Sequence, residues 1–256
     1  MRMSSARGGR GRSVVGPSPG VPSVGQAVTL LGVFLGLLAL APAASASASA
    51  SPSSSAALAC SPVSVRVGQP TTCTVTVTGV GHPTGTVGFA SDSSGAFSSA
   101  TCTLTLIGGN QARCRVTYTP TSVQSSPHQI TGSYSGDPNN APAQSSTSIE
   151  VQRAATTTAV SCPAFAEPGF TITCTATVTG PGAAPAPTGQ VAWGRNQLDG
   201  SFSASTCTLV ADSGGSASCS IQYSGASFAA HKIYANYLGD ADNVPSHGAA
   251  TVIFDT

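Results

Sequence analysis

Charge is what this sequence has least of. Lys, Arg, Asp and Glu make up 7% of its 256 residues, where about 25% is ordinary. So thin a charge excludes a helical bundle laced with i,i+4 ion pairs, and it leaves no basic patch to follow a nucleic acid backbone. Aromatics are scarce too, at 5% with a single Trp, which gives little material for a sugar-stacking platform. Beyond residue 46 no apolar run reaches the roughly 20 residues that a membrane helix needs, and no stretch keeps an amphipathic helical period for three turns. Gly, Ala, Ser, Thr, Pro and Val fill the space, and that composition suits short strands joined by turns.

The N-terminal part reads as a targeting segment. Arg2, Arg7, Arg10 and Arg12 precede an uncharged apolar run over residues 27–41, and Ala44-Ser45-Ala46 offers small residues where a signal peptidase reads. Basic, apolar and small-residue regions in that order predict a secretory signal peptide over residues 1–46. Its removal takes four of the ten basic residues, leaving six against nine acidic ones and a net charge of −3. Residues 47–57, rich in Ser and Ala, are expected to be disordered.

The remainder is one unit written twice. Residues 60–79 (CSPVSVRVGQPTTCTVTVTG) match 162–180 (CPAFAEPGFTITCTATVTG). Residues 82–90 match 186–194, 99–105 match 204–210, and 128–137 (HQITGSYSGD) match 231–240 (HKIYANYLGD). The period is about 103 residues, too long for a solenoid repeat and long enough for an independent core. Within a unit apolar residues alternate: Val63, Val65 and Val67; Val75 and Val77 against Thr74, Thr76 and Thr78; Val87 and Phe89; Leu104 and Leu106; Val116 and Tyr118; Ile130 and Tyr134. Period two, broken by Gly, Pro, Asn and Asp clusters, predicts about seven half-buried strands per unit and hence a sandwich. The units span residues 58–152 and 156–256, with a short linker between.

Four cysteines fall in each unit, and in an exported chain they predict a disulfide framework. Cys102 and Cys114 flank a turn near Gly108, as Cys207 and Cys219 flank Gly214-Gly215, so a simple hairpin would bring each pair face to face. That leaves Cys60–Cys73 and Cys162–Cys174 by subtraction. A plain hairpin around Gly68 would oppose Cys73 to a residue near Arg66, so this pairing needs a kink at Pro62 or Pro163. The spacing lacks the close Cys pairs of zinc modules, so no metal is expected.

Asp137-Pro138-Asn139-Asn140 and Asp240-Ala241-Asp242-Asn243 offer oxygen ligands to calcium, but they are too few for six- to eight-fold coordination, and these are turn residues. His82, His128, His231 and His247 have no nucleophile motif near them. His128 and His231 share a repeat position, as a residue serving the module would. No catalytic residue and no cofactor are expected. Phe89 and Trp193 hold equivalent strand positions and, with Tyr134 and Tyr237, are expected in the core. Phe97, Phe202, Phe165 and Phe170 are the better candidates for surface contact, although the core is the commoner place for them.

The repeated VGQP turn, TCTVTVTG strand, PTG-x-V-x-[FW] segment and strand closing on GD resemble the bacterial Ig-like repeat family, tandem modules of secreted and surface proteins, in its four-cysteine actinobacterial-type variant. The second unit departs from the pattern at Glu167-Pro168-Gly169-Phe170 and at Leu238. The resemblance implies an all-β chain of two tandem immunoglobulin-like β-sandwich domains, used as a spacer or adhesion unit without catalysis. A secreted or cell-surface structural protein is the favoured expectation, with an unknown surface protein or polysaccharide as partner and neither nucleic acid nor membrane engaged after signal cleavage. The alternative is a glycan- or cell-wall-binding module that uses the sandwich loops.

Overall fold

The computed structural model describes residues 52–256, so the expected signal peptide lies outside the described residues. The first half contains β1 (Ser55–Ser61), β2 (Ser64–Arg66), β3 (Thr71–Thr78), β4 (Thr86–Ser91), β5 (Gly95–Phe97), β6 (Thr101–Thr103), β7 (Thr105–Gly108), β8 (Gln111–Pro120), β9 (His128–Tyr134) and β10 (Ala143–Gln152). One sheet runs β1-β3-β8-β5, with β7 also on β8, and the other runs β2-β10-β9-β4-β6. The second half repeats this with β11 (Thr157–Ser161), β12 (Phe165–Ala166), β13 (Thr171–Thr179), β14 (Gln190–Arg195), β15 (Ser201–Phe202), β16 (Thr206–Thr208), β17 (Val210–Ala211), β18 (Ser216–Ser224), β19 (Ala230–Tyr237) and β20 (Ser246–Phe254). Its sheets run β11-β13-β18-β15 and β12-β20-β19-β14-β16. No described residue is helical. The two halves are called sandwich 1 and sandwich 2 below.

Alternation builds each core. In β3 the inward Cys73, Val75 and Val77 are fully buried and the Thr residues between them face out. Val87, Val116, Tyr118, Ile130, Tyr134 and Ile149 close on them from the other strands. Val178, Val191, Trp193, Ile221, Tyr223, Ile233 and Tyr237 do the same in sandwich 2. Each such aliphatic side chain contributes about 1.5–3 kcal/mol on burial.

Four expectations need correction, the last of them at the disulfides. The segment 47–57 is not disordered throughout: β1 begins at Ser55 and pairs along β3 from Ser55↔Thr78 to Ser61↔Thr72. Small Ser and Ala side chains suit this edge, and Leu58 supplies a buried anchor. Val63 does not share the inward face of Val65 and Val67, because it is 65% exposed. It stands where the chain leaves one sheet for the other, β1 pairing with β3 while β2 pairs in parallel with β10. Leu106 is likewise exposed, since the chain changes sheets again between β6 and β7.

These switches explain the disulfides. Cys60 lies directly opposite Cys73 because β2 has peeled away, with Cα atoms 4.0 Å apart. Cys162–Cys174 repeats the arrangement at 4.4 Å. The hairpin expected to join Cys102 to Cys114 does not exist in that form. Cys102 sits opposite Val87 in one sheet and Cys114 opposite Val75 in the other, so the bond crosses the sandwich with Cα atoms 5.8 Å apart. Cys207–Cys219 crosses sandwich 2 at the same separation. All eight cysteines are paired.

Candidate functional site

The histidines at the shared repeat position are sealed in the cores. His128 is fully buried, with Nδ1 3.0 Å from the Tyr118 hydroxyl and Nε2 3.2 Å from the Gln124 carbonyl. Nε2 therefore donates and Nδ1 accepts from the tyrosine. His231 meets the Tyr223 hydroxyl at 2.7 Å through Nδ1 and the Ser227 hydroxyl through Nε2. Phe97 and Phe202 stack on these tyrosines at 4.8 Å between ring centres, so they belong to the core margin. Phe89 packs beside Phe97. Trp193 lies over the cross-sandwich disulfide, its Nε1 donating to Cys207 Sγ at 3.1 Å. Tyr134 and Tyr237 are buried.

The Asp-rich turns are closed by protein donors. Asp137 accepts from Thr84 N at 2.8 Å, the Thr84 hydroxyl, the Tyr134 hydroxyl at 2.9 Å, Asn139 N at 2.8 Å and Asn140 Nδ2. Asp240 accepts from Thr188, Asp242 N and Asn243 in the same way. Among the described residues no three His, Cys, Asp or Glu side chains converge as a metal site. The repeats differ at two atoms: the Tyr134 hydroxyl donates to Asp137, whereas the buried Tyr237 hydroxyl has no partner, and the Asn side chains differ as well. Asn140 Oδ1 accepts from Val80 N at 2.7 Å, whereas the buried Asn243 Oδ1 has no partner. Pro181 stands where Val80 stands in the first unit, and proline has no N–H to give.

This carboxylate–tyrosine arrangement sets the pH range of stability. Burial by itself would raise the Asp137 carboxyl, but the bonds from Thr84, Asn139, Asn140 and Tyr134 outweigh it and hold the group well below its ordinary 3.8. Asp240 is lowered by the corresponding balance. Burial, then the bond to Asp137 and its charge, push Tyr134 up to about 12, and burial and the Asp240 charge raise Tyr237. Below about pH 4 the unfolded chain binds protons that the folded one refuses, so stability is lost as pH falls. Above about pH 10 the unfolded tyrosines ionise first, so stability is lost again as pH rises. Urea midpoints measured across pH should therefore show a plateau with two falling limbs. Asp137→Asn should flatten the acid limb and Tyr134→Phe the alkaline one.

The remaining features lie at the sandwich ends. Ala154, fully buried, donates its N–H to Asp242 O at 2.7 Å and accepts from Val244 N at 2.9 Å. Asp242 Oδ1 accepts from Val123 N at 2.7 Å, and Arg153 reaches the Asp240 carbonyl. Ala184 packs into the core cluster of sandwich 1 over Gly68, which has φ +80°. A Cβ on Gly68 would lie 2.8 Å from Ala184 N. Backbone and side chain thus lock the Gly68 end of sandwich 1 to the loop end of sandwich 2. The sequence reading considered Asp242 only as a calcium ligand, and it missed Ala184. One trace of Ala184 was available, since the loop at 181–186 is longer than its counterpart at 80–82.

At the equivalent end of sandwich 2, Phe165 and Phe170 are 70% and 64% exposed and line a groove of about 800 Å³, while Phe228, 67% exposed, lines a smaller groove that shares Glu167, Asp255 and Thr256 with it. Of these, Phe165 and Phe170 are the surface candidates that the sequence picked out, and Phe228 was not recognised.

Paired sheets with sheet-switching edge strands, a Trp over a cross-sandwich disulfide and a buried tyrosine at the closing turn define the immunoglobulin-like class of β-sandwich. Residues 58–152 match the family profile described as bacterial Ig-like domain (group 3). A search of curated proteins returns no match. Among solved structures, the Yersinia pseudotuberculosis adhesin InvE aligns over 78% of this chain and 59% of its own, at 15% identity and a TM-score of 0.37. The native conformation of E. coli alpha-2-macroglobulin aligns over 78% of this chain and 17% of its own, at 11% identity and a TM-score of 0.30. The chain thus spans less than two thirds of either structure.

Proposed function

We propose that this chain is a secreted, non-catalytic structural protein in which two Ig-like sandwiches, held at a fixed spacing, act as a spacer or surface-contact element. The locked junction carries this reading. A merely tethered pair of domains would leave the backbone groups of Ala154 and the carboxylate of Asp242 in water, whereas here they are paired across the sandwiches. Paired cysteines suit an oxidising compartment outside the cytosol. The histidines, the residues best suited to acid–base work, are spent on buried tyrosines in both repeats.

Small-angle scattering of residues 48–256, which form a compact unit, tests the fixed spacing. One arrangement should fit the curve, and a requirement for a broad ensemble of inter-sandwich angles would sink the reading. Gly68→Ala and Gly169→Ala supply a matched pair. Both sites have positive φ, so both substitutions cost about 1–2 kcal/mol of backbone strain. A Cβ at Gly169 meets nothing within 4 Å, so only Gly68→Ala should broaden the scattering ensemble.

A further inference from the structure

The Gly68 end of sandwich 1 and the Gly169 end of sandwich 2 are built alike. Val65 pairs in parallel with Val151 as Ala166 pairs with Phe254. Gly68 N donates to Pro120 O and Gly169 N to Gly225 O, each at 2.8 Å, and Gln69 N bonds Arg66 O as Phe170 N bonds Glu167 O. Their surroundings differ. The first end is covered by sandwich 2, so that Val67 and Ala154 are fully buried. The second is uncovered among the described residues, and it carries Phe165, Phe170 and Phe228 where the first has Ser64, Gln69 and Val123.

The covering half of the junction also exists twice. At the loop end of sandwich 2, the Ala154 carbonyl accepts from Val244 N at 2.9 Å and the Thr156 hydroxyl donates to Val244 O at 2.8 Å. At the loop end of sandwich 1, the Pro52 carbonyl accepts from Ala141 N at 2.9 Å and the Ser54 hydroxyl donates to Ala141 O at 2.6 Å. Asn139 occupies the place of Asp242 and keeps an acceptor oxygen. Beside it, Val80 is 54% exposed.

We propose that the Phe165–Phe170–Phe228 end of one chain is covered by the sandwich 1 loop end of a second copy, head to tail, continuing between molecules the junction that exists within one. Two unlike surfaces meet, so the contact does not close on itself, and copies can add in a row. Covering three phenylalanines already about one-third buried removes on the order of 400 Å² of aromatic surface on that side, against about 800 Å² per partner in a standard stable interface. The association is therefore reversible and weak. It stands independently of the spacer role.

The test is sedimentation velocity of residues 48–256 from low micromolar to near-millimolar concentration, with three proteins: wild type, a tail variant (Phe165→Ser with Phe170→Ser) and a head variant (Val80→Lys with Asn139→Arg). All four substituted side chains are exposed, and unchanged near-UV dichroism checks that the variants fold. Wild type should grow in size with concentration beyond a dimer. Each variant alone should stay monomeric, and an equimolar mixture of the two should give dimers and nothing larger. A wild type that is monomeric throughout overturns the proposal. So does association lost in the tail variant but kept in the head variant, which would mean a tail-to-tail contact. Monomeric wild type retained on insoluble polysaccharide through the same phenylalanines would overturn it in favour of a glycan surface.

Discussion

Replacing Cys207 and Cys219 together by alanine is expected to lower the stability of sandwich 2 by about 4 kcal/mol. Closing a loop of 12 residues contributes about 3 kcal/mol by restricting the unfolded chain. The Trp193 indole N–H, which donates to Cys207 Sγ, would lose its partner in a mostly buried site, and that adds about 1 kcal/mol. The bond also crosses between sheets: β16 has only β14 beside it within its own sheet, so the disulfide is its second tether. The pair Cys162 and Cys174 makes a useful contrast. The same loop length gives a similar entropic loss, but their strands β11 and β13 stay joined by a ladder from Thr157↔Thr179 to Ser161↔Thr175, so the loss should stop near 3 kcal/mol. Guanidinium unfolding without reductant measures both. Equal losses would show that the Trp193 contact and the cross-sandwich placement add nothing.

Tyr223→Ala should cost roughly 3–5 kcal/mol, the range for emptying a large aromatic from a core. Tyr223 stacks on Phe202 at 4.8 Å, meets Phe254 edge-on at 6.2 Å and holds His231 Nδ1 at 2.7 Å. Tyr223→Phe separates the two contributions. It keeps the ring and removes only the hydroxyl, leaving a buried imidazole nitrogen without its partner at a cost of about 1–3 kcal/mol. Tyr118→Phe should cost less, because Ser91 Oγ stands 3.1 Å from that hydroxyl and is close enough to shift towards His128. Urea midpoints at constant m value give the comparison. Equal losses in the two repeats would mean that Ser91 does not substitute.

Much of this was legible in the sequence. Val and Thr alternating through residues 71–78 dictate a strand with one buried face, because successive side chains on a pleated backbone point oppositely. The 103-residue self-similarity dictates two like units, and four cysteines in each leave few ways to pair. Tyr118 with His128 and Tyr223 with His231 recur at matching positions because each pair makes the same buried contact. All of this is local or periodic information, carried by neighbours in the chain.

Tertiary structure decided the rest. The sequence does not show that the chain changes sheets after Cys60 and after Cys102, because nothing in a strand's own pattern says which sheet it joins. The hairpin reading of Cys102–Cys114 therefore named the right partners for the wrong geometry. It does not show that Asp242 caps Val123, 119 residues away, or that Ala184 fills the space that Gly68 leaves. Two glycines with nearly the same φ, Gly68 and Gly169, look alike in sequence and in backbone. Only the packing of one sandwich against the other makes the first a buried contact and leaves the second at a bare aromatic end, because burial belongs to whatever the fold sets opposite a residue and not to the residue itself.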